Sequence, residues 1–268
     1  MTKRGAGTVA ALWRYPVKSM LGEEVPEAEV GEHGLVGDRA YALLDVRTGR
    51  VISAKNPKRW PRMFQLRARY PTPPRVTQPL PPVRIEVPAG PSFQSDDPDA
   101  NPRLSEFLGG EVRLVTSTPG RPAVEVYTPP IPGLTEEFSE FRVPPGPFHD
   151  SLPVHALTNA TLTRLHELYP GGRFDVRRFR PNFVLETGDP PGFVEQAWIG
   201  RTLAVGDVRM QITKPCSRCV MTTLPQGDLR EDRGILKTVV ADAAGDVGVK
   251  GRVVRGGIVR RGDAVLLE

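Results

Sequence analysis

Proline and glycine limit what this chain can fold into more than any other feature of its sequence. The 268 residues include 29 prolines and 27 glycines. A proline inside a helix removes a hydrogen bond and clashes with the preceding turn, and inside a sheet it removes a ladder bond. Ten of the prolines lie within residues 71–102, and a second proline-rich stretch covers residues 129–147. We therefore expect short strands, turns and irregular connections in place of long helices.

Short β-rich segments bounded by turn residues recur along the chain and predict strands. The predicted strands cover residues 9–13, 27–30, 41–46, 50–54, 83–87, 111–115, 182–186, 202–205, 208–213, 249–254 and 264–267. The segments 41–46 and 50–54 are expected to pair across a hairpin-length loop. Many short strands at regular spacing are typical of a barrel or a sandwich.

The sequence predicts few helices. Residues 159–169 form the clearest one, because three leucines recur at helical spacing and Thr158 can cap the first turn. A shorter helix is expected at 101–108, where two glycines follow it. The predicted fold class is therefore mainly β with a few helices (α+β), and the proline-rich stretch 129–147 is the expected boundary between two units.

Composition excludes several classes of protein. Hydrophobic residues make up 39% of the chain, which is enough to bury a core, and the net charge is +5. That excess suits an anionic ligand and falls short of a nucleic-acid-binding signature. Apolar runs do not reach the ~18 residues that cross a bilayer, and Arg14 and Lys18 interrupt the first apolar run before a signal peptide could form. We expect a cytoplasmic protein that binds neither nucleic acid nor membrane.

The chain has two cysteines, Cys216 and Cys219, and they are separated by a serine and an arginine. The pair could be half of a zinc site, a thioredoxin-like redox pair, one reactive thiolate with a helper, or two buried structural cysteines. A zinc site needs two further ligands, and the four histidines show no ligand spacing. Basic neighbours lower a cysteine pKa and favour the thiolate. At least one of the two thiols is therefore expected to do chemistry.

Three other segments carry candidate anion-binding side chains. Arg177, Arg178 and Arg180 lie just before Asn182 and a predicted strand. Arginines bind phosphate through paired N–H groups, although a solvated basic turn would have the same sequence. The turn at 15–19 carries a lysine and a serine, and the turn at 34–39 ends in an Asp-Arg pair. Each segment alone is a weak signal.

Taken in order, these segments resemble the MOSC family, the molybdenum cofactor sulfurase C-terminal domain proteins, in the arrangement with an N-terminal β-barrel domain. The segments that carry the resemblance are Tyr15-Pro16-Val17-Lys18-Ser19, Gly37-Asp38-Arg39, Asp150, Leu157-Thr158, Phe179-Arg180-Pro181-Asn182, Cys216-Ser217-Arg218-Cys219, Thr222-Thr223 and Val247-Gly248-Val249-Lys250-Gly251. The resemblance implies a β-barrel MOSC domain over residues 126–268, packed with an N-terminal β-barrel-like domain over residues 1–125.

The resemblance also implies a cofactor, the pterin-based molybdenum cofactor. By the same resemblance Cys219 is the molybdenum ligand and the catalytic residue, which agrees with the preference of soft metal centres for thiolate. Cys216 is expected to be a wall of the pocket. The residues implied to contact the cofactor are Lys18, Ser19, Arg39, Thr158, Arg180, Asn182, Ser217 and Arg218.

The implied activity is reduction of N-hydroxylated small molecules, or of related N–O and S–O groups. Two cysteines are too few for an iron–sulfur cluster, so a separate electron-donor protein is expected. Two alternatives stay open. Cys219 could carry a persulfide as a sulfurtransferase, or the chain could carry the cofactor without turnover.

Overall fold

The computed structural model describes residues 4–116, 118 and 120–268. Within these residues the strands are β1 Arg4–Arg14, β2 Glu23–Val25, β3 Glu27–Gly31, β4 Gly34–Leu35, β5 Ala42–Asp45, β6 Arg67–Arg69, β7 Arg84–Glu86, β8 Phe93–Gln94, β9 Val112–Val115, β10 Ala123–Thr128, β11 Glu137–Arg142, β12 Val154–Thr158, β13 Phe183–Glu186, β14 Thr202–Val205, β15 Val208–Ser217, β16 Asp246–Arg255, β17 Gly257–Arg260 and β18 Ala264–Leu267. The α-helices are α1 Ala100–Leu108, α2 Asn159–Leu168, α3 Val176–Phe179 and α4 Arg233–Asp242. Short 3-10 helices cover Met63–Gln65, Val194–Trp198 and Val220–Thr222.

Seven strands close into a β-barrel. Their order is β13-β12-β16-β15-β14-β18-β1, and β1 pairs back onto β13. The pairs are antiparallel except for β12 with β13. Closure leaves the barrel strands without free edges, which removes a site of aggregation. The predicted fold class, mainly β with a few helices and a barrel, is confirmed.

The barrel is made from both ends of the chain. In β1, Leu12 lies opposite Phe183 of β13 and Gly7 lies opposite Val265 of β18. A Cβ atom at Gly7 would lie 2.0 Å from the carbonyl oxygen of Glu186, so only glycine allows this approach. Strand β1 lies in the predicted N-terminal unit, residues 1–125, but the other six strands of its barrel all follow residue 153. The domain boundary at 125/126 therefore stays a prediction.

A second hydrophobic core lies beside the barrel. It packs α1 and the 3-10 helix Met63–Gln65 against β5, β7 and β9, with side chains such as Leu43, Met63 and Leu104 fully buried. Met221, which follows the second cysteine closely, belongs to this core, and Cys219 packs against it. The cysteine segment therefore lies where the barrel meets the second core.

Most predicted elements are present, but several observed elements were not predicted, among them the barrel strand β12 and the helices α3 and α4. Three differences are informative. Segments 41–46 and 50–54 are hydrogen-bonded, with Ile52 N donating to Leu43 O at 2.8 Å, but the regular strand partner of β5 is β9. The proline-rich stretch 129–147 contains β11, which pairs with β10 along six residues. Helix α4 was not predicted, although Asp232 caps it by accepting from Gly234 N at 2.9 Å.

Among the described helices, none combines the length and the apolar character needed to span a membrane.

Candidate functional site

A strongly cationic pocket lies between the barrel and the second core. Among the described residues, its lining includes six cationic side chains, one carboxylate (Asp150) and both cysteines. The six cationic residues are Lys18, Arg39, Lys55, Arg180, Arg218 and Lys250. They come from segments that are far apart in the sequence. So many cations in one concave site attract an anionic ligand.

The turn after β1 brings Lys18 and Ser19 into the pocket. Tyr41 O accepts from the backbone N–H of Lys18 at 2.8 Å, and Ser19 adopts a left-handed φ of 64°. The ammonium of Lys18 donates to Phe148 O at 2.8 Å and pairs with Asp150. Burial lowers the pKa of Lys18, and the Asp150 carboxylate partly offsets this. Ser19 and Ser53 share a hydrogen bond between their hydroxyls at 3.1 Å.

Asp150 joins Lys18 to Lys55. Its carboxylate lies 3.2 Å from the ammonium of Lys55. Burial would raise the pKa of Asp150, but the two lysines and Lys250 hold it well below its usual range. Asp150 is therefore a carboxylate that fixes two lysine side chains in the pocket.

Arg39 and Arg180 both make cation–π contacts with the ring of Tyr15. Their guanidinium carbons lie 4.4 and 4.1 Å from the centre of the Tyr15 ring. Both arginines adopt left-handed backbone conformations, with φ of 49° and 55°. Arg39 pairs with the buried carboxylate of Asp38 and donates to Arg180 O at 3.2 Å. The two cations are thus held together by a buried aspartate and an aromatic ring.

Arg180 has an unused hydrogen-bond donor. Its Nη1 donates to Met20 O at 2.8 Å, whereas its buried Nη2 has no partner in the structure. Burial, with Arg39 nearby, lowers the pKa of Arg180 to about 10, so it stays charged at neutral pH. A buried donor without a partner costs about 1–3 kcal/mol. An anionic ligand in the pocket would remove that cost.

Asn182 lies in the wall of the pocket with its amide already occupied. Its Nδ2 donates to Asp38 Oδ2 at 3.0 Å and to Trp13 O at 3.3 Å, and its Oδ1 accepts from His155 N at 3.2 Å. Since both donors and the acceptor have partners, Asn182 holds Asp38, strand β1 (through Trp13) and strand β12 (through His155) in place. This arrangement leaves no N–H group of the Asn182 amide free for a ligand.

The two cysteines lie in different surroundings. Cys216 is 2% exposed and accepts from Arg218 Nη1 at 2.9 Å, whereas Cys219 is only partly buried. Burial would raise the pKa of Cys216, but His155, Arg218 and Lys250 bring it well below the usual value. Lys55 Nζ lies 3.6 Å from Cys219 Sγ. The motif that is symmetric in sequence is therefore asymmetric in structure.

Arg218 spans the pocket wall between these thiols. Its Nη2 donates to Phe179 O at 2.8 Å, and its buried Nε has no partner among the described residues. Ser217, at the end of β15, also lines the pocket. These positions agree with the expectation that both residues border the ligand.

Thr158 is not among the residues that line the pocket, although the resemblance implies a contact with the cofactor. Its hydroxyl accepts from Thr161 N at 3.2 Å, as the cap of α2, and donates to Glu195 Oε2 at 2.7 Å. Thr158 is fully buried at the start of the helix. Because its one donor is occupied away from the cations, Thr158 has a structural role.

Sequence reasoning gave no role to Lys55, His149, His155 and Lys250, all of which line the pocket. Lys250 and Asp150 lie in segments that carry the family resemblance, but the side chains they face in the pocket are distant in sequence. Lys55 follows a predicted strand as one basic residue among many. Burial lowers the pKa of His149 to about 4, so its ring is neutral at pH 7.

Fold and pocket together define a closed β-barrel protein with a cationic pocket around one accessible thiol. The chain belongs to the MOSC domain family. Residues 146–266 match the MOSC domain, and residues 6–105 match the MOSC N-terminal beta barrel domain.

Curated relatives are 27% and 28% identical to this chain over the aligned residues. It is 27% identical to the mitochondrial amidoxime-reducing component 1 of Mus musculus over 256 residues, which is 87% of this chain and 70% of the relative. It is 28% identical to the mitochondrial amidoxime reducing component 2 of Homo sapiens, over 81% of this chain and 67% of the relative. Among solved structures, the YUAD protein from Bacillus subtilis aligns with a TM-score of 0.46 and 9% identity, over 99% of this chain and 97% of that one.

Proposed function

We propose that this protein is a molybdenum-cofactor-dependent reductase of N-hydroxylated small molecules, with Cys219 as the metal ligand. The observation that carries the proposal is the placement of one accessible thiol in a pocket lined by six cationic side chains. Membership of the MOSC domain family supports the cofactor. The names of the mouse and human relatives, amidoxime-reducing components, support the substrate class.

The residues present fit the cofactor in charge and in hydrogen bonding. Arg180 Nη2 and Arg218 Nε are buried donors without partners, and phosphate oxygens are strong acceptors for such groups. Lys18, Arg39 and Arg180, with the hydroxyl of Ser19, would hold the phosphate. Arg218 and Ser217 would lie against the pterin near the thiol. Asn182 would act indirectly, because its amide is bonded to Asp38.

The chain's own residues would bind and orient the cofactor. When bound, the cofactor supplies two-electron removal of an oxygen atom from an N–O or S–O group. Cys219 provides the thiolate for the metal. Lys55 holds a proton at Nζ, 3.6 Å from Cys219 Sγ, and Asp150 fixes its position. A separate electron donor and a cytoplasmic location stay predictions from the sequence.

Metal content and turnover test the proposal together. Protein purified from a host that makes the cofactor should contain about one molybdenum per chain, measured by mass spectrometry of the metal. It should reduce an aromatic amidoxime when a chemical reductant supplies electrons. Protein without stoichiometric molybdenum would contradict the proposal, and protein with molybdenum but no turnover would favour a cofactor carrier.

A sulfurtransferase remains the alternative. The contact between Lys55 and the Cys219 sulfur would also stabilise a persulfide anion. This function leaves Arg39 and Arg180 without a role, and for that reason we place it second. Incubation with a sulfur donor followed by mass spectrometry should show no added sulfur atom on Cys219, and a stable addition would favour the alternative.

A further inference from the structure

A second cavity lies beside the cationic pocket and differs from it in chemistry. Its volume is about 310 Å³, within the usual range of small-molecule sites. Aromatic and aliphatic side chains form most of its wall, including Trp60, Phe64, Tyr127, Ile131, Val220 and Leu224, with four prolines. Trp60 and Phe64 are 8% and 3% exposed. This cavity offers mainly apolar and aromatic surfaces, and its charged lining residues are Lys58, Glu231 and Arg233.

The two cavities are back to back across a shared wall. Ser53 and Lys55 line the cationic pocket, whereas Ala54 and Pro57 line the second cavity. The same alternation occurs in the cysteine segment, where Cys219 and Met221 line the first, and Val220 and Thr223 line the second. The main chain of these two segments therefore stands between the second cavity and the thiol.

A cation–π contact and a backbone hydrogen bond join the lining of the second cavity to residues of the cationic pocket. Phe64 lines the second cavity, and the guanidinium carbon of Arg180 lies 5.5 Å from the centre of its ring. The backbone N–H of Tyr127 donates to Lys55 O at 2.8 Å, so another wall residue is fixed to the segment that carries Lys55. A molecule in the second cavity would touch the side of this wall that faces away from Cys219.

The charged side chains in the cavity's lining are paired. Lys58 lies 2.7 Å from Glu136 and 4.2 Å from the centre of the Tyr127 ring. Arg233 lies 3.3 Å from Glu231. Because each cation already has a carboxylate partner, the lining does not favour a charged ligand. Three aromatic rings in one cavity favour a flat apolar molecule, since ring pairs contribute about 0.5–1.5 kcal/mol beyond burial.

We propose that this second cavity is a binding site for a neutral, single-ring aromatic molecule, separate from the pocket that contains Cys219. The site depends on Trp60, Phe64 and Tyr127 for stacking and on Val220 and Leu224 for apolar contact. It does not depend on the thiol, so the proposal is independent of the reductase function.

Binding of p-cresol to the full-length protein tests this site. Titration should change the fluorescence of the wild-type protein, and the change should disappear in Trp60→Phe, which keeps an aromatic wall but removes the reporting indole. Ligand-observed NMR should show that 4-methylcyclohexanol, which has the same substituents without an aromatic ring, binds at least fivefold more weakly. Equal binding of the two compounds would overturn the aromatic class.

A variant that fills the cavity provides the second test of the proposed site. Ile131→Trp, at a partly exposed lining position, should weaken p-cresol binding at least tenfold. The matched control Val76→Trp adds the same ring at a residue that is 56% exposed elsewhere, and it should change binding less than twofold. Cys219→Ser should also change it less than twofold. Loss of binding in Cys219→Ser, or equal loss in both tryptophan variants, would overturn a separate site.

Discussion

Lys55 Nζ lies 3.6 Å from Cys219 Sγ, and the same ammonium lies 3.2 Å from the carboxylate of Asp150. Burial alone would lower the pKa of Lys55, but Asp150 and the Cys219 sulfur raise it above the ordinary value. Lys55 is therefore a fixed positive charge beside the sulfur at every physiological pH.

Replacing Lys55 by methionine should lower kcat/KM for an aromatic amidoxime by about 10–100-fold, because hydrogen bonds to charged groups contribute about 1.5–3 kcal/mol. Lys55→Arg keeps the charge and should retain more activity. Lys237→Met, at an exposed position of α4, is the matched control and should behave as the wild type. Full activity in Lys55→Met would remove this residue from the proposed mechanism.

The two cysteines should respond differently to replacement. Cys219→Ala should abolish both molybdenum content and amidoxime reduction, because it removes the proposed metal ligand. Cys216→Ala should keep molybdenum and substantial activity, since Cys216 is buried and its sulfur accepts from Arg218. Metal analysis and steady-state kinetics on the same preparations make the comparison. Equal losses would mean that the pair acts as a dithiol or that the ligand is misassigned.

Substitutions at Arg180 and Arg177 distinguish a contact with the cofactor's phosphate from an ion pair outside the pocket. Arg180→Lys should lower cofactor content at least tenfold, because lysine cannot donate both to Met20 O and to a ligand through a planar fork. Arg177→Lys is the control, since Arg177 pairs with Asp175 and Asp228 outside the pocket. Pterin released from purified protein can be quantified by fluorescence. Similar cofactor content in both variants would count against Arg180 as a phosphate ligand.

The sequence predicted six of the seven barrel strands, because closed barrels bury one face of each strand and leave short, turn-bounded apolar segments. It missed β12, whose five residues are all buried. Helix α2 was also evident from its leucines and its cap. Helix α4 was missed because its buried residues Ile235, Leu236 and Val239 form a short pattern between charged residues. Strand β11 was missed because its residues are almost all exposed and lie in a proline-rich stretch.

Candidate site residues were predictable where a sequence motif contains them. They were not predictable where only the tertiary fold brings them into the pocket. Lys18, Arg39, Arg180 and Arg218 lie in recognisable segments, and all line the pocket. Lys55 comes from the irregular segment between β5 and β6, and no local pattern distinguishes it. Thr158 was matched to a ligand contact by its position in a motif, but its hydroxyl is used by α2 and Glu195. Hydrogen-bond partners of this kind require the tertiary structure.

Thr158→Val should reduce stability and leave cofactor content unchanged. Loss of a threonine cap costs about 0.5–2 kcal/mol, and loss of the bond to buried Glu195 adds about 1 kcal/mol. We expect a decrease of about 1.5–3 kcal/mol in the free energy of unfolding, measured with denaturant. Thr163→Val, at an exposed position of the same helix, should change it by less than about 0.5 kcal/mol. A selective loss of cofactor in Thr158→Val would restore its predicted role as a ligand contact.

Glu195 should make stability depend on pH. Its side chain is fully buried, and Oε2 accepts from Thr158 and from Thr161 Oγ1 at 2.7 and 2.6 Å. Burial raises the pKa of this carboxyl, and the two hydroxyls offset the effect only in part. A group with a raised pKa in the folded state binds its proton more tightly there than in the unfolded chain. Its contribution to stability is therefore complete below the unfolded pKa of about 4.3 and is lost as pH rises through the higher folded pKa.

Glu195→Gln keeps an acceptor for both threonines but cannot ionise. Denaturant unfolding of wild type and variant between pH 4 and pH 8 should show the wild type losing stability relative to Glu195→Gln as pH rises. Glu106→Gln, at an exposed position of α1, should follow the wild type at every pH. A difference between wild type and Glu195→Gln that stays constant would show that the two threonine partners balance burial, and one that grows in favour of the wild type with rising pH would show that they outweigh it. Either result would contradict a raised pKa of Glu195.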